Sequence, residues 1–228
     1  LLGLEPRFWL ARYKGRSVGS IGHIGAWSFC QDKIMTTGGE GGMVTTNDFR
    51  LWRKMWSYKD HGKDWDAVYN NKSESAGFRW LHEGFGTNWR MIEMQAAIGR
   101  LQLKKMSAWN AARNANAAEI METCRNHSAL RVPRFACNKS SCALDCPIKS
   151  DCVHAFYKCY VYARPDRLAQ GWDRDRILRE LNSRGVPCYQ GACSEVYLER
   201  CFNDTGWRPA NRLPTAQELG ETSIMFLV

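Results

Sequence analysis

The chain has 228 residues, 44% of them apolar and 24% charged, with a formal net charge of +9. That length suits one large domain or two modest ones, and no apolar run approaches the ~20 residues of a membrane-spanning helix. The basic residues are dispersed, with "LKKM" as their longest cluster, so the expected partner is an anionic, phosphorylated small molecule and not nucleic acid or a membrane.

The opening "LLGLEPRFWLAR" has no basic leader, long apolar stretch or small-residue cleavage site, which predicts a cytoplasmic protein without a signal peptide. Alternation in "GAWSFC" predicts a short strand, with Trp27 and Phe29 on one face and Ser28 on the other. "GGMVTTND" predicts a second strand ending at Asn47-Asp48. Between them lie Lys33 and the turn Gly38-Gly39-Glu40-Gly41-Gly42, where glycine permits positive φ and close approach of the backbone to a ligand. "DFRLWRKMWSY" predicts a helix capped by Asp48.

Met91, Met94, Ile98, Leu101 and Met106 recur at mostly helical spacing, and the pattern continues through "SAWNAARNANAAEIMETC". This predicts the longest helix of the chain, bent or broken near Ser107 and able to bridge two domains. "VPRFACNKSSCALDCPIKSDC" reads as loop. A strand is then predicted over His154–Ala163, a helix over Trp172–Gly185 started by Asp173 or Asp175, a strand at "VPCYQ" and a last one at "SIMFLV". The strand-helix-strand order predicts a small α/β domain. Domains are placed at 1–110 and 111–228.

Cys137, Cys142, Cys146 and Cys152 crowd together ahead of His154. Their C-x4-C-x3-C-x5-C spacing lacks the C-x2-C pairs of common zinc sites, so the expectation is reduced thiols in an irregular insertion and no metal. The glycine-rich turn matches neither G-x-G-x-x-G nor G-x4-G-K-[ST], which argues against a nucleotide loop.

A lysine amine can attack a carbonyl to form a Schiff base, and Ser28, five residues before Lys33, can donate a hydroxyl to a phosphate. By spacing alone a solvated surface lysine is the commoner case. The whole stretch "SFCQDKIMTTGGEGGMVTTND", however, resembles the lysine segment of the DegT/StrS-type sugar aminotransferases, pyridoxal-phosphate enzymes of fold type I. "GTNWRMIEMQAAIGRLQL" resembles that family's G-x-N-x-R-M-x-x-x-Q-A-A-I-G signature, and "YKGRSVGSIGHIGAWSF", "KDHG" and "GWDRDRILRELNSRGVPCYQGACSEVY" fit as well.

The resemblance implies an α/β fold: an incomplete large domain, with a mixed, mostly parallel sheet and helices, plus a smaller C-terminal α/β domain. Lys33 takes the place of the lysine that binds pyridoxal 5'-phosphate and shuttles protons. Ser28 takes the place of the hydroxyl on the cofactor phosphate. Asn88 takes the place of an asparagine that reaches the phosphate of the neighbouring subunit, which implies a homodimer with shared active sites. Arg90 and Gln95 also match, and structural roles are expected for both. Lysine at position 33, where some relatives that deoxygenate have histidine, implies transamination, with glutamate as donor and a nucleotide-linked keto-sugar as acceptor. The sequence departs from the pattern near Leu4, where the family's aspartate for the pyridine nitrogen is expected and only Glu5, out of register, is acidic. The expectation is therefore the later part of such an aminotransferase, with a non-catalytic truncated paralogue or interaction module as the alternative.

Overall fold

The computed structural model describes residues 11–70, 80–133 and 152–228. They divide into two compact units: 11–70, 80–108 and 152–154 form one, and 109–133 with 155–228 form the other.

In the first unit β1 (Arg12–Tyr13) and β2 (Arg16–Ser17) make a small hairpin. A second hairpin pairs β3 (Gly25–Ser28) with β4 (Gly42–Thr45), from Gly25 opposite Thr45 to Ser28 opposite Gly42. These are the two strands expected around Lys33. Helix α1 (Phe49–Lys59) starts where Asp48 accepts hydrogen bonds from the N–H of Arg50 at 2.8 Å and of Leu51 at 3.3 Å, satisfying donors that a helix start otherwise leaves bare. Asp64 caps α2 (Trp65–Tyr69) and also accepts from Arg53 of α1 at 2.6 Å. Trp52 and Trp56 meet Trp65 edge to face, with centroids 4.8 and 4.9 Å apart, so α1 and α2 are joined by the ion pairs of Arg53 with Asp64 and Asp66 and by an aromatic cluster.

Helix α3 (Glu93–Arg125) runs without interruption for 33 residues and passes from the first unit into the second. The break expected near Ser107 is not there. No proline lies within the helix, and the alanines around Ser107 favour continuation.

The second unit contains β5 (Leu130–Arg131), β6 (Cys159–Ala163), α4 (Arg174–Ser183), β7 (Cys188–Tyr189), α5 (Pro214–Thr222) and β8 (Ser223–Phe226). The sheet order is β5-β6-β8-β7, so the final strand lies between two earlier ones, and all four of its residues are buried. Cys159, Val161 and Ala163 point alternately inward from β6 and meet Ala117, Met121 and Cys124 of α3 and Ile224 and Phe226 of β8. Strand β6 is shorter than the expected His154–Ala163. Phe156 adopts φ +41° and its carbonyl accepts from Arg113 at 3.2 Å, which breaks the extended run ahead of Cys159. Helix α4 follows expectation: Asp173 accepts from the Arg176 N–H at 2.6 Å, and Gly185 ends the helix at φ +79°.

All strand pairs among the described residues are antiparallel; they contain no parallel pair of the kind expected in the large domain. No helix among them is long and apolar enough to cross a membrane. Cys137, Cys142 and Cys146 lie outside the described residues. The sulfur of Cys152 accepts from the Lys14 N–H at 3.2 Å, and no cluster of three metal-ligating side chains occurs among the described residues. Burial, with Cys124 nearby, pushes the Cys159 thiol up to about 11, so this core cysteine is a packing group with little thiolate character.

The segment ahead of α5 is fastened by one carboxylate. Glu195 accepts twice from Arg212, at 2.9 and 2.5 Å, and once from the Tyr197 hydroxyl at 2.6 Å. Tyr197 accepts in turn from the Leu213 N–H at 2.8 Å, and Arg212 also reaches Glu221 at 3.1 Å. Arg212 first, and Tyr197 second, hold the Glu195 carboxyl down from 4.5 to about 2. A lowered carboxyl value stabilises the fold in full above the unfolded value and loses that contribution as pH falls through the folded one. The difference in urea midpoint between the native chain and Glu195→Gln is expected to be constant from pH 7 to 5 and to close between 4.5 and about 2. A difference unchanged down to pH 2 would remove the ion pair from the account.

Candidate active site

Lys33 lies on an excursion inside the β3–β4 hairpin. The hairpin runs one residue past β3, where the Phe29 N–H donates to the Gly41 carbonyl at 2.8 Å, and the Thr37 N–H donates back to the Phe29 carbonyl at 3.2 Å. Residues 30–36 are thereby looped out, and a turn with the Lys33 N–H on the Cys30 carbonyl at 3.1 Å shapes the tip. The loop is rooted by Phe29, Met35 and Thr37, all buried. Lys33 itself is part-exposed, with Nζ 3.7 Å from Asp32. Asp32 also accepts from the Cys30 thiol at 2.7 Å. Ser28 ends β3 on the exposed side.

The first turns of α3 hold this loop. Gln102 accepts from the Thr36 N–H at 3.1 Å. Gln95 donates to the Glu40 carbonyl at 2.6 Å, while its own oxygen accepts from the Ile92 N–H at 3.3 Å at the helix start. Between them Gly99 has no side chain. A β-carbon there would stand 3.1 Å from the Thr37 methyl and 3.5 Å from the end of Met35. Gln95, Gly99 and Gln102 are spaced i, i+4 and i+7, one stripe of a helix. Only Gln95 was singled out in the sequence. Projecting the predicted helix from Gln95 would have found the other two.

Asn88 sits on a different part of the unit. "KDHG" (59–62) and "GTNWR" (86–90), with 23 residues between them, pair in space: His61 N–H donates to Thr87 at 2.9 Å, Thr87 N–H to Tyr58 at 2.6 Å and Trp89 N–H to Lys59 at 3.0 Å. Gly62 has φ +81°, and a β-carbon on it would collide with the Gly84 carbonyl, so a side chain is excluded twice over. Asp60 is buried and faces Lys63 at 3.3 Å, Lys59 at 3.6 Å and Arg90 at 3.6 Å. Burial opposes ionisation of Asp60, and these three cations outweigh it, holding the carboxyl below its ordinary value. Arg90 also donates through Nε to Asn88 Oδ1 at 2.9 Å and meets His61 Nε2 at 3.3 Å. An open groove of about 930 Å³ is lined by Trp27, Met43, Trp52, Trp56 and Met91; Lys33, Ser28 and Asn88 do not line it.

Compared with known proteins, the chain matches the DegT/DnrJ/EryC1/StrS aminotransferase family over residues 9–226 and belongs to that family. It is similar to the aminotransferase of Psychrobacter cryohalolentis known by X-ray structure, at 61% identity and a TM-score of 0.86, over 96% of this chain and 54% of that one. It is 34% identical over 111 residues to dTDP-3-amino-3,4,6-trideoxy-alpha-D-glucose transaminase of Streptomyces venezuelae, covering 49% of this chain and 26% of that protein. It is 41% identical over 103 residues to GDP-perosamine synthase of Caulobacter vibrioides, covering 45% and 24%. The chain thus matches about half the length of the Psychrobacter protein and about a quarter of the other two. Aminotransferases of this family work with pyridoxal 5'-phosphate.

Replacing Gly99 by leucine tests how the loop is seated. The gain in helix propensity is up to ~1 kcal/mol, while overpacking costs about 1–3 kcal/mol. Gly99→Leu is expected to lower the urea midpoint and to speed amide exchange at Met35–Thr37. A variant with unchanged exchange there would show that the loop does not rest on α3.

Proposed function

We propose that this chain carries the lysine-bearing part of the active site of a pyridoxal-phosphate-dependent aminotransferase, which moves an amino group from glutamate to a nucleotide-linked keto-sugar. The observation that carries this reading is the seat of Lys33: a part-exposed amine on a loop whose neighbours Phe29, Met35 and Thr37 are buried. A solvated surface lysine needs no such foundation.

The donor set suits the cofactor. Lys33 offers a primary amine for an aldehyde, Ser28 an exposed hydroxyl for a phosphate oxygen, and Asn88 an amide for a phosphate held by a second subunit of a homodimer. When bound, the cofactor supplies a carbonyl carbon and an electron-withdrawing ring that stabilises negative charge beside it. Lys33 Nζ would hold that carbonyl carbon until a donor's amine displaces it. Free again, Nζ is a base of short reach that takes a proton from the donor carbon and returns it nearby. Ser28, together with Asn88 of the second subunit, would fix the phosphate end, so that the reacting carbon stays within reach of Nζ. The position where an aspartate is expected to face the ring nitrogen, near Leu4, carries no aspartate and lies outside the described residues.

The names of the relatives support the substrate class: the Streptomyces protein is named for a dTDP-linked amino sugar and the Caulobacter protein for GDP-perosamine. Mixing the chain with pyridoxal 5'-phosphate, reducing with borohydride and mapping peptides by mass spectrometry is expected to place one label on Lys33. Lys33→Arg is expected to abolish that label while leaving the free energy of unfolding in urea within about 0.5 kcal/mol of that of the native chain. Label scattered over surface lysines, or none, would favour the non-catalytic paralogue.

A further inference from the structure

The Asn88 amide has two faces of opposite character. Its NH2 attracts a phosphate oxygen and its carbonyl repels one, and the side chain fits either way round unless a neighbour chooses. Arg90 makes that choice. A guanidinium only donates, so Nε at 2.9 Å from Asn88 requires the carbonyl oxygen there and turns the NH2 away. Among the described residues no other group hydrogen-bonds the Asn88 side chain, which is exposed. Arg90 is in turn held by Asp60 at 3.6 Å and by His61, whose Nε2 takes the acceptor role at 3.3 Å. The backbone bridge between Asp60 and Asn88 keeps all four residues in register.

We propose that Arg90 is a positioning residue: by donating to Asn88 Oδ1 it presents the Asn88 NH2 as a ready donor to the cofactor phosphate. This rests on the reading of Asn88 as a phosphate ligand. The role differs from a purely structural ion pair with Asp60, because its benefit reaches only ligands that carry a phosphate and only through Asn88.

The test compares the affinities of pyridoxal 5'-phosphate and of pyridoxal, which lacks the phosphate, by absorbance titration. The proteins are the full chain and its Asn88→Ala, Arg90→Met, Arg90→Lys and Asn88→Ala/Arg90→Met variants, with urea midpoints measured alongside. A hydrogen bond to a charged group is worth about tenfold or more in affinity. Asn88→Ala and Arg90→Met are each expected to weaken pyridoxal 5'-phosphate about tenfold, and the double variant no further than Asn88→Ala. Pyridoxal affinity is expected to stay unchanged throughout. Arg90→Lys is expected to recover part of the loss, since one ammonium can still donate to Oδ1 but cannot span Asn88, Asp60 and His61 together. If Asn88→Ala leaves phosphate-ester affinity unchanged, the phosphate reading of Asn88 fails, and the inference with it. If Asn88→Ala weakens it as expected but Arg90→Met acts equally in the Asn88→Ala background, or weakens pyridoxal as much, only the inference fails. No saturable binding of pyridoxal 5'-phosphate to the native chain overturns both.

Discussion

The polar clamp of α3 on the hairpin loop is the constraint around which the first unit is arranged. A lysine with the role proposed for Lys33 must reach outward, yet its carbon chain must start from a fixed point, and a looped-out segment gives neither for free, since ordering each residue costs ~1–2 kcal/mol of backbone entropy. Here the loop is fixed from below. Phe29, Met35 and Thr37 go into the interior, Gln95 and Gln102 take the loop's backbone groups at Glu40 and Thr36, and Gly99 lets helix and loop come together. The fit has a cost: the Thr36 hydroxyl is buried with no hydrogen-bond partner among the described residues, a loss of about 1–3 kcal/mol that the surrounding packing must offset.

The same logic recurs where Asn88 is held. Two short motifs that look unrelated in the sequence become neighbours through the backbone N–H groups of His61, Thr87 and Trp89, and one buried carboxylate, Asp60, collects Lys59, Lys63 and Arg90. A buried carboxylate is tolerated when charges of opposite sign surround it. Its presence explains why a chain segment so rich in cations can fold back on itself. The arginine that serves Asp60 is also the one that orients Asn88, so the charge balance of the knot and the geometry of the exposed amide share one side chain.

The second unit is held differently. Its core is a sheet whose central strand, β8, is the last element of the chain, packed with β6 and α3 around Val161, Ile224 and Met121. Until β8 is in place β6 and β7 have no common neighbour, so the unit depends on contacts distant in sequence. The Glu195–Arg212–Tyr197 network then ties the irregular stretch before α5 to the helix itself.

Local chemistry was readable directly. Asp48 as a helix cap, Asp173 as one of two candidate starts of α4, Gly185 as a helix stop, the strands either side of Lys33 and the long apolar repeat of α3 all follow from interactions within a few residues, and all stand in the structure. The lysine, its serine and the asparagine were legible as a family pattern, because the chemistry of an amine, a hydroxyl and an amide is carried by residue type. What the sequence alone did not decide is how each is supported. The left-handed turn at Phe156 that shortens β6, the stripe of Gln95, Gly99 and Gln102 under the loop, and the grip of Asp60 and His61 on Arg90 depend on residues brought together from distant positions. Amino-acid type determines which groups can react or bind; only tertiary packing determines which way they face, because orientation is set by neighbours that the linear order does not place side by side.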